Sequence, residues 1–425
     1  MPHSKQNVAI IGAGIVGVST AIWLQRAGHD VTLIDPAGPA GGTSYGNAGL
    51  LASAATVPVP VPGIWARAPR MLLDPREPLF LKWGYLPRLA PWLMRYLGHA
   101  TAAGVRKRAA AQLPLIADSL ADHQALSEGS DAARYVVPCD YIYGYPDRAG
   151  FDADAFTWQV RRENGFSWDV MDADAFRAYD PAYKGAIGCA VRLPGHGRIS
   201  DPGAYVKALA SKAERQGARV LNAAVEAVVV ENGALSGLRV GGETLRFDAA
   251  VVAGGAWSAS LVAPLGVQVR MESERGYHIE LWEPSVMPRA PVMVAAGKFV
   301  ANPMEGRLRL AGIVEYGGLD AAPSRAPFKL LRRNIARVMP DLTWADSTEW
   351  MGHRPVIADS LPLIGEVPGC RGVFAGFGHD HLGLTAGPRT GYILSQLISG
   401  KRPNTDLAPY APGRFSAAQS VPPLT

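Results

Sequence analysis

The sequence predicts an α/β fold in which a Rossmann-type dinucleotide-binding domain is joined to an α+β domain with a largely antiparallel sheet. Three observations lead to this prediction. The chain has 425 residues, about two to three times the usual length of one domain. An apolar, β-branched stretch near the N-terminus runs directly into the motif Gly-Ala-Gly-Ile-Val-Gly. Residues 57–197 then interrupt the α/β pattern with prolines and aromatic residues.

The N-terminal residues predict a strand, a turn and a helix in immediate succession. Residues 7–11 are apolar and rich in β-branched side chains, as in a central parallel strand. A helix is expected from Ile15, because apolar positions then recur at helical spacing, and Gly28 is placed to end it. A second strand is expected over residues 31–34, directly before Asp35. This apolar run therefore indicates a strand and a helix, and not a signal peptide or a membrane span.

The three glycines of the turn have separate tasks. Gly12 permits a tight turn, Gly14 lets the backbone approach a pyrophosphate, and Gly17 lets the helix and the strand pack closely. The free N–H groups and the dipole of the helix N-terminus favour a phosphate there. Asp35 is suited to accept hydrogen bonds from a ribose hydroxyl, and its charge disfavours the 2′-phosphate of NADP. The motif in this context predicts an adenine dinucleotide, but it does not choose between NAD and FAD.

Two further glycine-rich segments are suited to a dinucleotide. Residues 41–49 are small or carry hydroxyls, and such a loop can offer donors to a pyrophosphate or a flavin, with a plain surface loop as the alternative. Residues 373–385 predict a strand, a turn and a second helix N-terminus, which can stabilise negative charge on a reduced flavin. This helix is expected to continue to Ile398, with Pro388 tolerated only in its first turn. Other strands are expected at 218–221, 225–230 and 247–253.

Composition and spacing exclude several other classes of protein. Hydrophobic residues make up 48% and charged residues 19%, which is ordinary for a globular chain and excludes extensive disorder. The net charge is +5, and the one dense basic cluster, Arg106-Lys107-Arg108, is too short to indicate nucleic-acid binding. The three cysteines are far apart, so neither a disulfide framework nor a CxxC pair is expected. His353, His379 and His381 lack a Cys or carboxylate at ligand spacing, so no metal site is expected.

Five motifs occur in order across nearly the whole chain. They are Gly12-x-Gly14-x-x-Gly17, Thr43-Ser44-x-x-Asn47-Ala48-Gly49, Ala253-Gly-Gly-Ala-Trp257, Gly352-His353-Arg354-Pro355 with the segment 359–365, and Gly376-Phe-Gly-His379 with Gly383-Leu384-Thr385. With these motifs the sequence resembles the FAD-dependent D-amino-acid oxidase and dehydrogenase superfamily. It is most similar to the bacterial D-amino-acid dehydrogenase branch.

The resemblance implies FAD as the cofactor and a set of residues that contact it. The implied positions are Gly12, Gly14, Ile15, Val16, Gly17, Asp35, Gly42, Thr43, Ser44, Asn47, Ala48, Gly49, Leu51, Val225, Gly254, Trp257, Gly352, Gly378, His379, Leu382, Gly383, Leu384 and Thr385. Similar sarcosine oxidases hold flavin covalently through a Cys just before the stretch that matches Ala358 and Asp359. Gly352 is roughly in that place here and no Cys is near, so FAD is expected to be non-covalent.

Three residues are predicted to bind the substrate. Arg354 offers a planar fork that holds a carboxylate by two parallel hydrogen bonds, and an exposed salt bridge is the alternative. Similar enzymes use the matching arginine to clamp the carboxylate of an amino acid. By the same resemblance, Tyr277 is expected to hydrogen-bond that carboxylate and His278 to line the pocket. The alternative for this segment is an amphipathic strand whose polar side chains are already satisfied.

The predicted domains are discontinuous. The FAD-binding domain comprises residues 1–56, 198–266 and 350–425, and the substrate or cap domain comprises residues 57–197 and 267–349. Within the cap, residues 105–126 predict one long helix, and residues 134–137 and 141–143 predict strands. The aromatic stretch 79–97 is expected to pack inside the cap, with peripheral contact to a membrane surface as the alternative.

The expected reaction follows from the resemblance. The chain has neither a second strand–glycine–helix unit nor a CxxC motif, so the flavin is expected to take electrons from its own substrate. The resemblance implies oxidative deamination of a D-amino acid to a 2-oxo acid and ammonia, with hydride transfer from Cα to flavin N5. Arg354 would align the substrate, and no protein acid or base is strictly required.

Competing hypotheses and expected partners accompany this reaction. Secondary amines, namely D-proline, a hydroxyproline, sarcosine or another N-methyl amino acid, are the competing substrates. The chain could instead be a non-catalytic FAD-binding subunit or an NAD-dependent dehydrogenase. The expected partners are a small amino acid and an electron acceptor, which is a quinone, an electron-transfer protein or oxygen, with no nucleic acid. The expected location is cytoplasmic, with the inner face of the membrane as the second possibility.

Overall fold

The computed structural model describes residues 5–74 and 76–416. The predicted FAD-binding segments also include residues 1–4 and 417–425, which lie outside the described residues. Within the described part of the chain, no helix is both long enough and apolar enough to cross a membrane.

The chain alternates between helices and strands at both ends and is richer in strands in between. The strands are β1 Asn7–Ile11, β2 Asp30–Ile34, β3 Leu50–Leu51, β4 Leu79–Leu81, β5 Val136–Tyr145, β6 Asp169–Asp172, β7 Cys189–Ile199, β8 Arg219–Leu221, β9 Val225–Glu231, β10 Ala234–Val240, β11 Glu243–Leu245, β12 Ala249–Val252, β13 Met271–Trp282, β14 Val292–Val294, β15 Phe299–Met304, β16 Arg307–Tyr316, β17 Asp346–Ile357, β18 Leu363–Glu366 and β19 Val373–Phe377. The helices are α1 Ile15–Arg26, α2 Thr43–Gly46, α3 Ile64–Leu73, α4 Leu86–Gly98, α5 Ala102–Ile116, α6 Ser119–Ser127, α7 Arg148–Ala153, α8 Ala155–Glu163, α9 Ala173–Tyr179, α10 Pro202–Arg215, α11 Ser258–Val262, α12 Ala326–Val338 and α13 Gly383–Ile398.

A six-stranded sheet confirms the Rossmann-type prediction. Its order is β18-β19-β12-β1-β2-β8, and all pairs are parallel except β18 with β19. The central strand β1 is buried from Val8 to Ile11, as expected for a parallel strand that is covered on both faces. Helices α1, α10 and α13 contribute to one hydrophobic core with β1, β2 and β12. The carboxyl ends of β1, β2, β12 and β19 therefore meet at one edge, where such sheets bind dinucleotides.

Pro388 corrects one detail of the sequence prediction. Helix α13 begins at Gly383, so Pro388 lies in the second turn and not in the first. A proline has no N–H to donate to the carbonyl four residues earlier, which here belongs to Leu384. The side chain of His123 replaces that donor, since its Nε2 lies 2.9 Å from the carbonyl oxygen of Leu384. The proline is tolerated because a distant helix completes the hydrogen bonding of α13.

A ten-stranded sheet forms the second layered unit. Its main path is β17-β13-β16-β15-β14-β5-β7-β3, with β4 beside β16 and β6 beside β7. The pairs are antiparallel except β14 with β5 and β16 with β4. Helix α12 covers one face through Phe328, Leu331 and Ile335. The other face points towards the six-stranded sheet, because His278 on β13 contacts the backbone of α2. A separate antiparallel sheet, β11-β10-β9, adjoins the Rossmann-type unit.

Two predicted elements of the cap differ from the structure. The predicted helix over residues 105–126 is two helices, α5 and α6, with a break between Ile116 and Ser119. Pro114 lies just before this break and removes one backbone donor near the end of α5. The predicted strands at 134–137 and 141–143 are one continuous strand, β5, which pairs with β7 through a register shift. The predicted domain boundaries stay a prediction; β17 crosses residue 350 and β7 crosses residue 197.

Candidate active site

The glycine turn after β1 is closed too tightly for other residues. Gly12 has φ +108°, and a Cβ there would lie 2.5 Å from the carbonyl oxygen of Ala253 at the end of β12. A Cβ on Gly17 would overlap the carbonyl oxygen of Gly12. Gly14 caps the N-terminus of α1 without a side chain. Ile15 and Val16, also predicted to contact FAD, are buried in the first turn of α1.

Two polar side chains hold this turn. The Asp35 carboxylate accepts hydrogen bonds from the backbone N–H of Ala13 through Oδ2 and of Ala37 through Oδ1, both at 2.9 Å. A carboxylate has about four acceptor sites, so capacity remains for a ribose hydroxyl. The Ser44 hydroxyl accepts from the N–H of Ile15 at 2.9 Å, which joins the 41–49 loop to the N-terminus of α1.

The 41–49 loop is fixed by its own side chains and by the ten-stranded sheet. The Thr43 hydroxyl donates to the carbonyl oxygen of His353 on β17 at 2.8 Å. Asn47 donates through Nδ2 to the carbonyl of Ser44 and accepts through Oδ1 from the N–H of Gly49, both at 2.8 Å. Gly49 has φ +71°, a conformation that favours glycine. The loop is therefore a rigid connection between the two sheets and not a plain surface loop.

Six more of the predicted cofactor residues follow β12 or β19 and lie at the same edge. Gly254 follows β12, and the exposed Trp257 lies with its ring edge-on to His353 at 5.4 Å. Gly378, with φ +86°, follows β19 and leads into Leu382 and Gly383 at the start of α13. His379 is buried, its Nε2 lies 2.9 Å from the Thr390 hydroxyl, and burial lowers its pKa to about 4.

Three other predicted contacts lie in different places. Leu51 is fully buried on β3 of the ten-stranded sheet, and the Thr385 hydroxyl donates to the neighbouring Leu50 carbonyl at 3.3 Å. Leu384 is buried in the first turn of α13. Val225 begins β9 of the three-stranded sheet.

The residues at this edge fit FAD. The turn at Gly12 and Gly17 has no room for side chains, whereas a Cβ on Gly42 or Gly255 would touch nothing within 4 Å. The edge therefore combines a closed phosphate turn with open space between the loops. The helix N-terminus, the carboxylate after β2 and the second helix N-terminus at α13 match the pyrophosphate, ribose and flavin ends of a dinucleotide.

Arg354 lies on the face of the ten-stranded sheet that points towards this edge. It pairs with Glu274 across β17 and β13, and its Nη1 donates to the Glu274 carboxylate at 2.7 Å. The rest of the guanidinium lies over Gly276, where a Cβ would come within 2.7 Å of Nε. The side chain keeps 21% of its surface exposed and is therefore only partly buried.

Glu274 belongs to a group of buried polar residues that the sequence motifs did not indicate. The Tyr316 hydroxyl donates to its second oxygen at 3.4 Å. Asp380 lies beside the C-terminal end of β17, since its N–H donates to the Pro355 carbonyl and its Oδ1 accepts from the N–H of Ile357. Burial raises the pKa of Asp380 well above its ordinary value. These residues come from distant segments: the pairing of β13 with β16 brings Tyr316 to Glu274, and hydrogen bonds to β17 hold Asp380 nearby.

His278 shares the face of Arg354, and it stacks on a tryptophan that the sequence motifs did not indicate. The rings of His278 and Trp350 are 5.1 Å apart and nearly parallel. A Cβ on Gly46 or on Gly352 would overlap the Trp350 ring, which therefore lies between the loop and β17. Alternation of Trp350 with Gly352 is the only sequence signal that could have found it. Burial, reinforced by nearby Arg309, lowers the pKa of His278 to about 3.

Tyr277 does not join Arg354 in the structure. Successive residues of a strand point to opposite faces, and Tyr277 points towards α12, where it meets Phe328 at 5.0 Å. Its hydroxyl donates to Glu315 at 2.6 Å and accepts from the N–H of Ser324 at 2.9 Å. Burial and the bond to Glu315 raise its pKa to about 12. The Tyr277 hydroxyl therefore lies on the side of the sheet opposite to Arg354.

Among the residues that the structure describes, no three His, Cys, Asp or Glu side chains lie together in a group that could hold a metal ion. His353, for example, bonds through Nδ1 to the Ser273 hydroxyl at 2.8 Å.

Comparison with known proteins identifies relatives along the whole chain. A family model described as "FAD dependent oxidoreductase" matches residues 7–397. A D-amino-acid oxidase of Bradyrhizobium diazoefficiens is 39% identical over 98% of this chain and 100% of its own length. A D-amino acid dehydrogenase of Rhizorhabdus wittichii is 29% identical over 96% of this chain and all of its own. Among solved structures, glycine oxidase from Geobacillus kaustophilus has a TM-score of 0.72 at 24% identity, covering 97% of this chain and 99% of that one.

Proposed function

Because this chain belongs to the FAD-dependent oxidoreductase family, we propose that it oxidises a D-amino acid to the 2-oxo acid and ammonia. The relative that is 39% identical is named a D-amino-acid oxidase, and it matches over nearly the full length of both chains. Non-covalent FAD, when bound, supplies the acceptor for the hydride that leaves the substrate Cα. The reaction forms an imine, and water then hydrolyses the imine to the 2-oxo acid and ammonia.

The placement of Arg354 is the observation that carries the proposal. It is a partly exposed guanidinium on the sheet face above the dinucleotide edge. A guanidinium holds a carboxylate by two parallel hydrogen bonds, which fixes both the position and the rotation of the substrate. Glu274 accepts a hydrogen bond from Nη1 of Arg354, and this bond fixes the orientation of the other guanidinium nitrogens. Catalysis then rests on alignment of the α-hydrogen and not on a protein acid or base.

Anaerobic titration tests the proposal. The purified, FAD-loaded protein is mixed without oxygen with D-amino acids, with their L-enantiomers and with D-proline and sarcosine as secondary amines, and flavin absorbance is followed. We expect D-amino acids to bleach the flavin and L-amino acids not to do so. Bleaching by secondary amines alone would replace the proposal with secondary-amine oxidation. No bleaching by any amine would indicate a non-catalytic subunit.

The electron acceptor and the membrane contact form a finer part of the proposal. A surface formed by β4, α3, α4 and the adjoining loops, here called the apolar lobe (residues 57–97), carries exposed apolar side chains. They are Val59, Trp65, Trp83 and Met94, with exposed fractions of 56, 48, 56 and 59%. The lobe contains six Lys or Arg residues and two Asp or Glu residues. Exposed tryptophans beside basic residues suit the interface of an anionic bilayer.

The same segment also packs inwards, as the sequence predicted for residues 79–97. Leu89, Trp92 and Tyr96 are buried on one side of α4, whereas Met94 and Arg95 are exposed on the other. An amphipathic helix of this kind contacts the protein with one side and can contact lipid with the other. The proposal is that the lobe docks on an anionic membrane surface. The electron acceptor is a quinone, an electron-transfer protein or oxygen.

A further inference from the structure

Four consecutive carbonyl groups of the 41–49 loop accept hydrogen bonds from side chains of the ten-stranded sheet. Arg309 donates through Nη1 to the carbonyls of Tyr45 at 3.3 Å and Asn47 at 2.6 Å. The ring Nδ1 of His278 lies 2.8 Å from the carbonyl of Gly46. Nδ2 of Asn302 donates to the carbonyl of Ala48 at 2.6 Å. We propose that His278, Asn302 and Arg309, here called the carbonyl clamp, position this loop for FAD and thereby set the affinity for the cofactor.

The clamp is buried and its charge is compensated. His278, Asn302 and Arg309 have exposed fractions of 1, 1 and 0%. Arg309 directs Nη2 and Nε to one oxygen of Glu280 at 2.6 and 3.0 Å, which leaves Nη1 for the loop. Burial opposes ionisation of Glu280, but the two arginines beside it outweigh this effect and lower its pKa to about 2. A guanidinium fixed in this way has one orientation, so the loop carbonyls are held in one place.

The clamp also determines which side of the loop faces the dinucleotide turn. A trans peptide unit directs its C=O and its N–H to opposite sides. With the carbonyls of residues 45–48 turned to the ten-stranded sheet, the opposite side of the loop faces α1. Ser44 makes that contact, because its hydroxyl accepts from the N–H of Ile15 at 2.9 Å. The loop is thus held by the clamp on one side and by the bond between Ser44 and Ile15 on the other.

The end of the loop leaves little room for adjustment. A Cβ on Gly49 would lie 2.6 Å from Cε of Met304, 2.8 Å from the carbonyl oxygen of Ile199 and 2.9 Å from Nδ2 of Asn302. Loss of a clamp donor therefore leaves a buried carbonyl without a partner in a place that is already filled, and the loop must shift. This inference rests on the predicted contact between the loop and FAD.

A purely structural role would make a different prediction. Arg307 is a matched control, because it also donates to Glu280 at 2.6 Å and is 5% exposed, yet it bonds Asp201 and the Glu305 carbonyl instead of the loop. If these arginines served only to compensate Glu280, replacing either would have the same effect. If the clamp sets the loop, replacing Arg309 or Asn302 will weaken FAD binding and replacing Arg307 will not.

The test measures FAD affinity by quenching of flavin fluorescence on the apoprotein, for Arg309→Met, Asn302→Leu and Arg307→Met. Hydrogen exchange of the peptide covering residues 43–49 is followed in the same apoproteins. We expect Arg309→Met to weaken FAD binding by about 10- to 100-fold, Asn302→Leu by about 5- to 50-fold, and Arg307→Met by less than about 3-fold. Exchange in the loop should accelerate in the first two variants only.

Asn302→Leu keeps the test decisive if the buried arginine variants fail to fold, since it removes one neutral donor at similar volume. The clamp would be overturned if folded Arg309→Met or Asn302→Leu protein bound FAD as the parent does, or if Arg307→Met weakened FAD equally. Neither readout requires turnover, so a failure to oxidise D-amino acids would leave the inference about the clamp intact. Equally, a failure of the clamp variants to weaken FAD binding would leave the proposed reaction intact.

Discussion

Nη1 of Arg354 donates a hydrogen bond to Oε1 of Glu274 at 2.7 Å, and the two residues are direct partners across β17 and β13. The carboxylate therefore occupies one edge of the guanidinium before any substrate is present. The other nitrogens lie over Gly276, which has no side chain to obstruct them. A substrate carboxylate would approach a fork whose plane is already determined.

Replacing Arg354 with Met should abolish tight substrate binding while FAD stays bound. Loss of two charge-assisted hydrogen bonds is expected to raise KM by about 100-fold or more. Steady-state kinetics and the flavin spectrum check both parts. Arg332→Met is the control, because Arg332 also donates to a glutamate, Glu349, but at the surface. Glu349 lies on β17, the strand that carries Arg354. A variant with an unchanged KM would remove Arg354 from the site.

Replacing Glu274 should reveal a positioning role. Glu274→Gln keeps an acceptor for Nη1, so we expect a decrease in kcat/KM of less than about 10-fold, whereas Glu274→Leu leaves the guanidinium without its partner and should cost about 10- to 100-fold. The measurement is kcat and KM over a series of D-amino acids. Equal effects of the two substitutions would contradict a role of the hydrogen bond.

Gly276→Ala should weaken substrate binding and leave the affinity for FAD unchanged. Its Cβ would lie 2.7 Å from Nε and 2.8 Å from Cζ of Arg354, so the guanidinium must move. We expect KM to rise by about 10-fold or more, because misplaced binding groups lose alignment. Gly98→Ala is the matched control, since a Cβ there meets nothing within 4 Å and the backbone is not left-handed. The expectation would be refuted if Gly276→Ala and Gly98→Ala had the same KM.

Acid should destabilise the protein through His123. Its Nε2 faces the Leu384 carbonyl at 2.9 Å and its Nδ1 faces the Tyr205 hydroxyl at 2.7 Å, so the neutral ring donates at one nitrogen and accepts at the other. Burial lowers its pKa to about 4, whereas an unfolded histidine titrates near about 6.5. The stabilisation is therefore complete above pH of about 6.5 and is lost as the pH falls towards about 4.

Between pH 7 and pH 5 this single histidine should cost about 2 kcal/mol in the free energy of unfolding. Thermal or urea unfolding at several pH values checks the slope. His123→Gln can keep both hydrogen bonds but cannot titrate, so it should flatten the pH dependence by about that amount. An identical slope in the variant would exclude His123 as the source.

The apolar lobe should bind anionic vesicles. Sedimentation with vesicles of phosphatidylglycerol and phosphatidylcholine should carry the FAD-loaded protein down at low salt, and added salt should weaken the effect. Joint replacement of Trp65, Trp83 and Met94 by Ser should reduce binding by about 10-fold or more. Trp344→Ser is the control, because Trp344 is an exposed tryptophan outside the lobe. Parent protein that stays in the supernatant would contradict the membrane contact.

Local patterns were sufficient for the glycine turn and for the buried strand that precedes it. The turn was predictable because positive φ at Gly12 and close packing at Gly12 and Gly17 favour glycine there. The buried strand β1 was predictable because its apolar run is continuous. The break between α5 and α6 was missed although Pro114, which lies next to it, is a local feature, whereas the second-turn position of Pro388 was not predictable from the local pattern. Pro388 depends on His123, which lies 265 positions earlier in the chain and donates to a carbonyl of α13.

By itself, the sequence determined the Rossmann-type unit and a bound dinucleotide, because both depend on contiguous motifs. The family resemblance carried by five such motifs implied FAD and supported Arg354 as a candidate carboxylate ligand. Only the tertiary structure decided which side chains share a face with Arg354. The antiparallel register of β13 and β17 placed Glu274 and Gly276 beside it and turned Tyr277 to the opposite side, towards α12. Strand register depends on pairing between segments about eighty residues apart, and a shift of one residue would exchange the two faces.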